Sequence, residues 1–566
     1  MVSTEIQRIV LLVALAATAY LMVLAWNEDY NKTPELPSVS AAPSVSDAPA
    51  AAAPAQAPAT SDVPDASLLA PASEAGTEAA PAAPSGSDDR LVRVDTRALS
   101  VWIDRLGGDI VRVQLPGFPQ TISQPDRPVT LLDNGQGHVY TAQSGLIGKD
   151  GPDARAERPL YDAPARTLEL SASGGELVLT AQVDGIDVRK RFRFSPDDYV
   201  VDVAYDVRNN RSVDFEAGLF AQIKRDRSEP IGQTHVTLGP RPYLGAALTT
   251  SEERYRKVSF DDLDDAPLRE EVTGGWVAML QHYFLSAWIG RPEEQNRYYG
   301  QRRDDGTYAV GFTGPVQTIA AGGEGRFEAR FYAGPKDQAR LEAIAPNLNL
   351  TVDYGFLWWL AVPLFGLMRW LHGFIGNWGV AIIVLTLLVK VVLYPLSAAS
   401  YRSMANMRRV APQIKRLQER YGDDRQKLSQ EMMALYQKEK MNPLGGCLPM
   451  LLQMPVFLAL YWVLFESVEL RQAPFFAWIQ DLSVMDPYFV LPILMGASMF
   501  VQMQLNPPPP DPMQAKVMKF MPIMFTVLFL FFPAGLVLYW LVNNVLSIAQ
   551  QWLITRQVEG ARGDAK

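Results

Sequence analysis

One cysteine, Cys447, stands in 566 residues, so no disulfide forms within the chain and any part of it outside the cytoplasm holds together by packing. Histidine is almost as scarce. The four, His138, His235, His282 and His372, lie far apart, and no HExxH, CxxC, GxSxG or GxxxxGK[ST] pattern occurs. These absences remove the common zinc, redox, serine-hydrolase and nucleotide signatures, so neither a cofactor, a metal nor an enzymatic activity is expected. The net charge of −9 averages over unlike segments and gives no ground for nucleic-acid recognition, because charge acts locally.

What the chain does have is composition that changes sharply along its length. Residues 1–26 carry an apolar run near the lower limit of about 17 residues for a spanning helix, longer than most signal-peptide cores. Cleavage at Ala17-Thr18-Ala19 would leave an apolar stub ending at Trp26, which argues for a retained anchor. Residues 27–89 are dominated by Ala, Pro, Ser, Asp and Thr and read as a disordered tether, unable to bury enough apolar surface to offset chain entropy. Residues 90–345 alternate with a period of two: Val201, Val203, Tyr205 and Val207 fall on one face, with Asp202 and Asp206 on the other. The turn Ser195-Pro196-Asp197-Asp198 separates this run from the preceding one at Val188 to Phe194, and the pattern predicts an all-β sandwich.

Six apolar stretches follow. The first, within 346–376, holds Trp358, Trp359 and Trp370 together with Pro363, Arg369 and His372, which suits a helix lying in the membrane interface. Residues 378–396, 448–465, 488–503, 517–532 and 536–554 are each read as a crossing, the shorter ones thinning the bilayer locally. With the anchor, that makes six. Between the first two of these lie residues 397–446 with ten basic residues, whereas 466–487 has only Arg471 and the turn at 533–535 has none. Basic residues collect on the cytoplasmic side, so both termini, including the tail 556–566, are placed in the cytoplasm and the β domain in the periplasm. Helical spacing of Met404, Met407, Ile414, Leu417 and Tyr421, and again of Leu428, Met432 and Leu435, predicts a cytoplasmic hairpin kinked at Pro412. Met404, Met407, Met432 and Met433 offer adaptable contacts for varied clients, or packing between the two helices.

The sharpest single residue is Lys390, in IIVLTLLVKVVLYPL, because a lysine deep in a spanning helix costs about 2.5 to 3.5 kcal/mol on insertion scales. Thr386, four residues earlier, shares its face. Tyr539, Asn543, Ser547 and Gln551 recur every fourth residue in the last stretch, with Trp540 and Asn544 beside them. Two polar stripes predict a shared hydrophilic groove open to cytoplasm and lipid, with snorkelling of Lys390 and polar helix–helix contacts as the plainer readings. A transporter or channel using Lys390 as an anion site is a weaker alternative, since no repeat of crossings is visible. An envelope enzyme or carbohydrate-binding protein acting through the sandwich would need only one anchor.

Several stretches resemble one family. NWGVAIIVLTLLVKVVLYPLS from Asn377, GDDRQKLSQEMMALYQKEKMNPLGGCLPMLLQMPVFLALY from Gly422, SVELRQAPF from Ser467, DPYFVLPILMGASMF from Asp486, DPMQAKVMKFMP from Asp511 and FPAGLVLYWLVNN from Phe532 are similar to segments of the YidC/Oxa/Alb insertases in their Gram-negative form. The resemblance implies an inner-membrane protein with a five-helix core, a hydrophilic groove, a cytoplasmic hairpin and a periplasmic β-supersandwich similar to sugar mutarotases. It implies nascent membrane proteins as substrates, and the Sec translocon, ribosomes and lipid as partners. The groove cation of the family is usually arginine, and Lys390 stands at that position, keeping the charge without the bidentate fork. Thr386, Tyr539 and Trp540 match substrate-contacting positions, with tryptophan where family members often have a second tyrosine.

Overall fold

Alternation of apolar and charged residues is what a strand with one buried face requires. In the computed structural model, Val201, Val203, Tyr205 and Val207 are buried in the strand Val200–Asn209, and Asp202 is exposed. The model describes residues 63–64, 88–135, 137–155, 157–231, 242–421, 424–438, 448–506 and 512–563. Ile186–Phe194 pairs with Val200–Asn209 across the expected turn, with Phe194 opposite Val201. On its other side Gly175–Val183 joins Ile186–Phe194 through Asp184-Gly185, both at positive φ (48° and 76°), a two-residue turn whose twist matches the flanking strands.

Among the described residues the strands form one eleven-stranded and one eight-stranded sheet. Trp288, Phe192, Tyr205 and Phe312 are among the side chains that fill the space between them, each worth about 1.5–3 kcal/mol when fully withdrawn from water. The eight-stranded sheet is apolar on both faces at its centre, since every residue of Trp276–Leu280 and Phe284–Ile289 is buried. At this centre the outer face does not meet solvent. Trp276, Leu285 and Tyr332 continue into Leu341, Tyr354, Phe365 and the helices beyond in a second, uninterrupted core. The sandwich is therefore seated on the helical part rather than merely tethered to it.

Two short helices belong to the β domain: α1 (Phe260–Asp265), with a capping box between Ser259 and Asp262, and α2 (Gln338–Ile344), capped by Asp337. Helix α3 (Trp358–Ile375) buries Ala361, Phe365, Met368 and Leu371 at helical spacing and leaves Trp358, Trp359 and Trp370 exposed. Then come α4 (Trp378–Val392), α5 (Tyr394–Tyr421), α6 (Arg425–Lys438), α7 (Leu448–Glu466), α8 (Val490–Leu505), α9 (Pro512–Phe529) and α10 (Ala534–Gly563). Helix α10 packs against α4, α5 and α8, and α3 against α4 and α7.

Two boundaries differ from the sequence reading. The stretch 378–396 is not one helix: it breaks at Leu393, and Trp378–Val392 and Tyr394–Arg408 meet at 69°. Pro395 supplies the reason, because it lacks the N–H that a continuing helix would need. Helix α5 meanwhile runs through Pro412. The last helix extends to Gly563, taking in most of the expected tail. Among the described residues no single helix is both long and apolar enough to cross a membrane; the bent pair meets that measure together. The anchor, the hairpin turn at 422–423 and Cys447 lie outside the described residues, as does most of the tether. Within the tether, Val63 and Pro64 are buried, Val63 against Ile147 and Phe220.

The outer end of the helical part is cross-braced. Asn377 caps α4 by accepting from Val380 N–H (3.0 Å) and donates to the Phe475 carbonyl (2.8 Å). Gly379 lets that loop approach, since a Cβ there would lie 2.1 Å from the Phe475 ring. Asp486, fully buried, accepts from the N–H groups of Tyr488 and Leu491 and from the Trp478 indole, and so starts α8.

Candidate functional site

Lys390 sits in the last turn of α4, 5 % exposed. Its ammonium donates to Ser547 Oγ of α10 at 2.7 Å and to Gln453 Oε1 of α7 at 3.1 Å. Ser547 Oγ in turn donates to the Asn543 carbonyl at 2.7 Å, and Gln453 Nε2 donates to Asn543 Oδ1. Every bond in this knot has a defined direction. No carboxylate among the described residues pairs with Lys390; the nearest candidates by sequence are engaged elsewhere or distant, Glu466 being bound to Lys336 at 2.8 Å. The cation is thus held by neutral oxygens alone, each hydrogen bond to a charged group worth about 1.5–3 kcal/mol.

The Lys390 ammonium is held in a buried polar knot that joins three helices, α4, α7 and α10. A second buried lysine shows what such an arrangement can be on structural grounds alone. Lys190 in the β domain is fully buried, donates to the carbonyls of Gly107 (3.0 Å) and Ser144 (3.1 Å), and has its pKa pulled down to about 7 by burial. Lys190, however, has Asp109, Asp153 and Arg158 around it, whereas Lys390 has only exchangeable side-chain amides and hydroxyls.

The other residues expected at the site divide. Thr386 is buried on the same face as Lys390, but its hydroxyl turns back to the Ile382 carbonyl at 2.6 Å. Asn543 and Ser547 join Lys390. Asn544 and Gln551 do not: Asn544 Nδ2 donates to Ser498 Oγ (3.2 Å) and Gln551 Nε2 to the Leu505 carbonyl and Asn506 Oδ1 (both 3.1 Å), fastening α10 to α8. The Tyr539 hydroxyl lies within reach of the Gln453 side chain, and the buried Trp540 indole N–H has no hydrogen-bond partner among the described residues. Phe457 stands edge-on to Trp540 at 4.4 Å. Of the hairpin methionines, Met404 is taken up in packing with Ala398, Tyr401 and Ile554, Met407 and Met432 are half-buried, and Met433 is exposed.

Gln453 was missed in the sequence. Its signal is a lone amide in the apolar stretch 448–465, which acquires meaning only when 63 residues are folded back to bring it to Lys390. Gln453→Leu removes an acceptor from the ammonium and a donor from Asn543. It is expected to lower client insertion about three- to tenfold, the value of one or two ordinary hydrogen bonds. Insertion assays in reconstituted vesicles check this, and undiminished activity would make Gln453 a bystander.

Comparison with known proteins gives two family matches, to the YidC periplasmic domain over residues 91–367 and to the 60Kd inner membrane protein over residues 370–561. The membrane protein insertase YidC of Azotobacter vinelandii is 53 % identical over 560 residues, covering 98 % of this chain and 99 % of its own length. That of Pseudomonas entomophila is 51 % identical over 559 residues, again covering 98 % and 99 %. A solved structure described as an active YidC insertase with the first transmembrane domain resolved aligns with 81 % of this chain and 93 % of its own, at 18 % identity and a TM-score of 0.36.

Proposed function

The chain belongs to the YidC family of membrane protein insertases, non-enzymatic inner-membrane proteins that act on other membrane proteins within lipid, and on that premise we propose that the Lys390 knot is the client gate. A client's acidic or polar flank exchanges places with Gln453 and Ser547 on the ammonium, so the three helices part without leaving a bare charge in oil. The groove lined by Lys390, Thr386, Tyr539, Trp540, Asn543 and Ser547 is the opened form. Its apolar flank meets lipid, and burial of the client's apolar surface, about 25 cal/mol per Å2, drives entry. The observation that carries this reading is a buried cation satisfied only by neutral, displaceable oxygens.

In this reading the membrane is crossed six times: by the N-terminal anchor, by 378–396 (α4 and the first residues of α5), and by each of α7 to α10. Helix α3 lies in the interface on its exposed tryptophans, and both termini and the α5–α6 hairpin are cytoplasmic, following the basic residues. Met407, Met432 and Met433 are then the hairpin surface for arriving clients, with the Sec translocon and ribosomes as partners.

The test is site-specific crosslinking. A photoreactive side chain at Thr386 or Tyr539, both 2 % exposed or less, is expected to capture a stalled nascent membrane protein, which requires the knot to open. Adducts only to lipid or to neighbouring helices would defeat the gate.

A further inference from the structure

A cavity of about 760 Å3 lies where the β domain meets the outer ends of the helices, remote from Lys390. Its walls are apolar and aromatic: Tyr461 and Phe465 of α7, Phe532 before α10, Trp478 and Met485 of the loop after α7, and Ile122 of the hairpin between Asp109–Thr121 and Gln124–Leu132. Two opposite charges line it, Arg471 and Asp481. No direct ion pair links them among the described residues, although Asp481 lies close enough for its charge to favour the charged form of Arg471. Arg471 Nη2 donates to the carbonyls of Pro119 (2.6 Å) and Gln120 (3.1 Å), and its guanidinium lies 5.6 Å from the Phe284 ring. Asp481 Oδ1 accepts from Ser483 N–H (2.8 Å) and Oγ (2.6 Å), while Oδ2 accepts no hydrogen bond among the described residues. In the same loop after α7, Phe476 is 78 % and Tyr488 68 % exposed.

We propose that this cleft binds one outer-leaflet phospholipid whose headgroup carries both a phosphate and a primary ammonium. The phosphate is held by the remaining N–H groups of Arg471, the ammonium donates to Asp481, and the glycerol and upper acyl carbons lie along the aromatic walls. A cation and an anion that face one cavity without direct contact match a zwitterion whose own charges are held a few bonds apart. The volume lies within the roughly 300–1,000 Å3 range of small amphiphile sites. The bound lipid would fill the seam between the β domain and the helices. The inference rests on the periplasmic placement of this face and is independent of the Lys390 gate.

The test uses the full-length protein and native mass spectrometry after addition of phosphatidylethanolamine, phosphatidylcholine or phosphatidylglycerol with identical acyl chains. Retention of one ethanolamine lipid over the other two by about fivefold or more is expected, the scale of one good polar contact. Asp481→Asn should abolish the preference over choline, and Arg471→Gln should abolish retention altogether. Because Arg471 also braces the β domain, Ile122→Asp, at the exposed hairpin tip, is the second variant: it places a charge at the mouth without touching those bonds and should reduce retention as well. Equal retention of all three lipids by the wild type, or retention unmoved by Asp481→Asn and Ile122→Asp, overturns the site. A photoreactive residue at position 122 that captures a nascent client instead of lipid does so too. Crosslinking from Thr386 reads the gate separately, so failure of one proposal is not failure of the other.

Discussion

Lys390→Ala is expected to cut client insertion about tenfold or more, and Lys390→Arg to retain most of it. Two hydrogen bonds to an ammonium, at about 1.5–3 kcal/mol each, are at stake, and each 1.4 kcal/mol is a factor of ten. Alanine removes charge and volume together, so Lys390→Met is the informative companion: it keeps the length of the side chain and removes only the charge. Methionine should behave like alanine. Arginine keeps the charge and adds a planar fork that must find room beside Gln453 and Ser547. Insertion of a short-tailed client into vesicles, with thermal unfolding as a control for folding, decides it. Activity equal in the methionine and arginine variants would take the charge out of the mechanism.

The second large effect concerns the brace between the two halves. Lys336 and Glu466 pair at 2.8 Å with side chains only 5 % and 8 % exposed, one at the end of the sandwich and the other at the end of α7. His282 Nε2 is 2.8 Å from the neighbouring Phe465 carbonyl. Removing either partner leaves a buried charge alone and should destabilise the protein by about 3–5 kcal/mol, whereas Lys336→Met with Glu466→Leu should recover most of the loss. Thermal or chemical unfolding of the two single variants and the double variant forms the cycle, and simple additivity would show that the pair is not coupled. The same brace bears on deletion of residues 90–340, which leaves Glu466 unpaired. The deletion is therefore best made together with Glu466→Gln, and most insertion activity should survive in that form.

Much of this was legible in the residues. Periods of two and of 3.6 separate the sandwich from the helices because each element has to hide one face. Lys390 announced itself by its cost. The break at Leu393 was legible too, in Pro395, but a continuous apolar run concealed it. The fusion of sandwich and helices had a signal in the strands Trp276–Leu280 and Phe284–Ile289, apolar at every position but Ser286, which lack the alternation of a sheet facing water on one side. What the residues did not carry was the division of labour in the last helix. Asn543 and Asn544 are neighbours of one kind, yet the turn of about 100° between them sends one to Gln453, the partner of the ammonium, and the other to Ser498.

The break after Val392 also sets a distance. Helix α4 has 15 residues, about 22 Å at 1.5 Å each, against a hydrocarbon layer of about 30 Å. Beyond it the chain turns aside by 69° instead of continuing along the same axis. With the membrane placement proposed above, lipid tails bordering so short a pillar must shorten or splay to match it, so hydrophilic cargo passing alongside travels through a thinner slab of oil than in the surrounding bilayer.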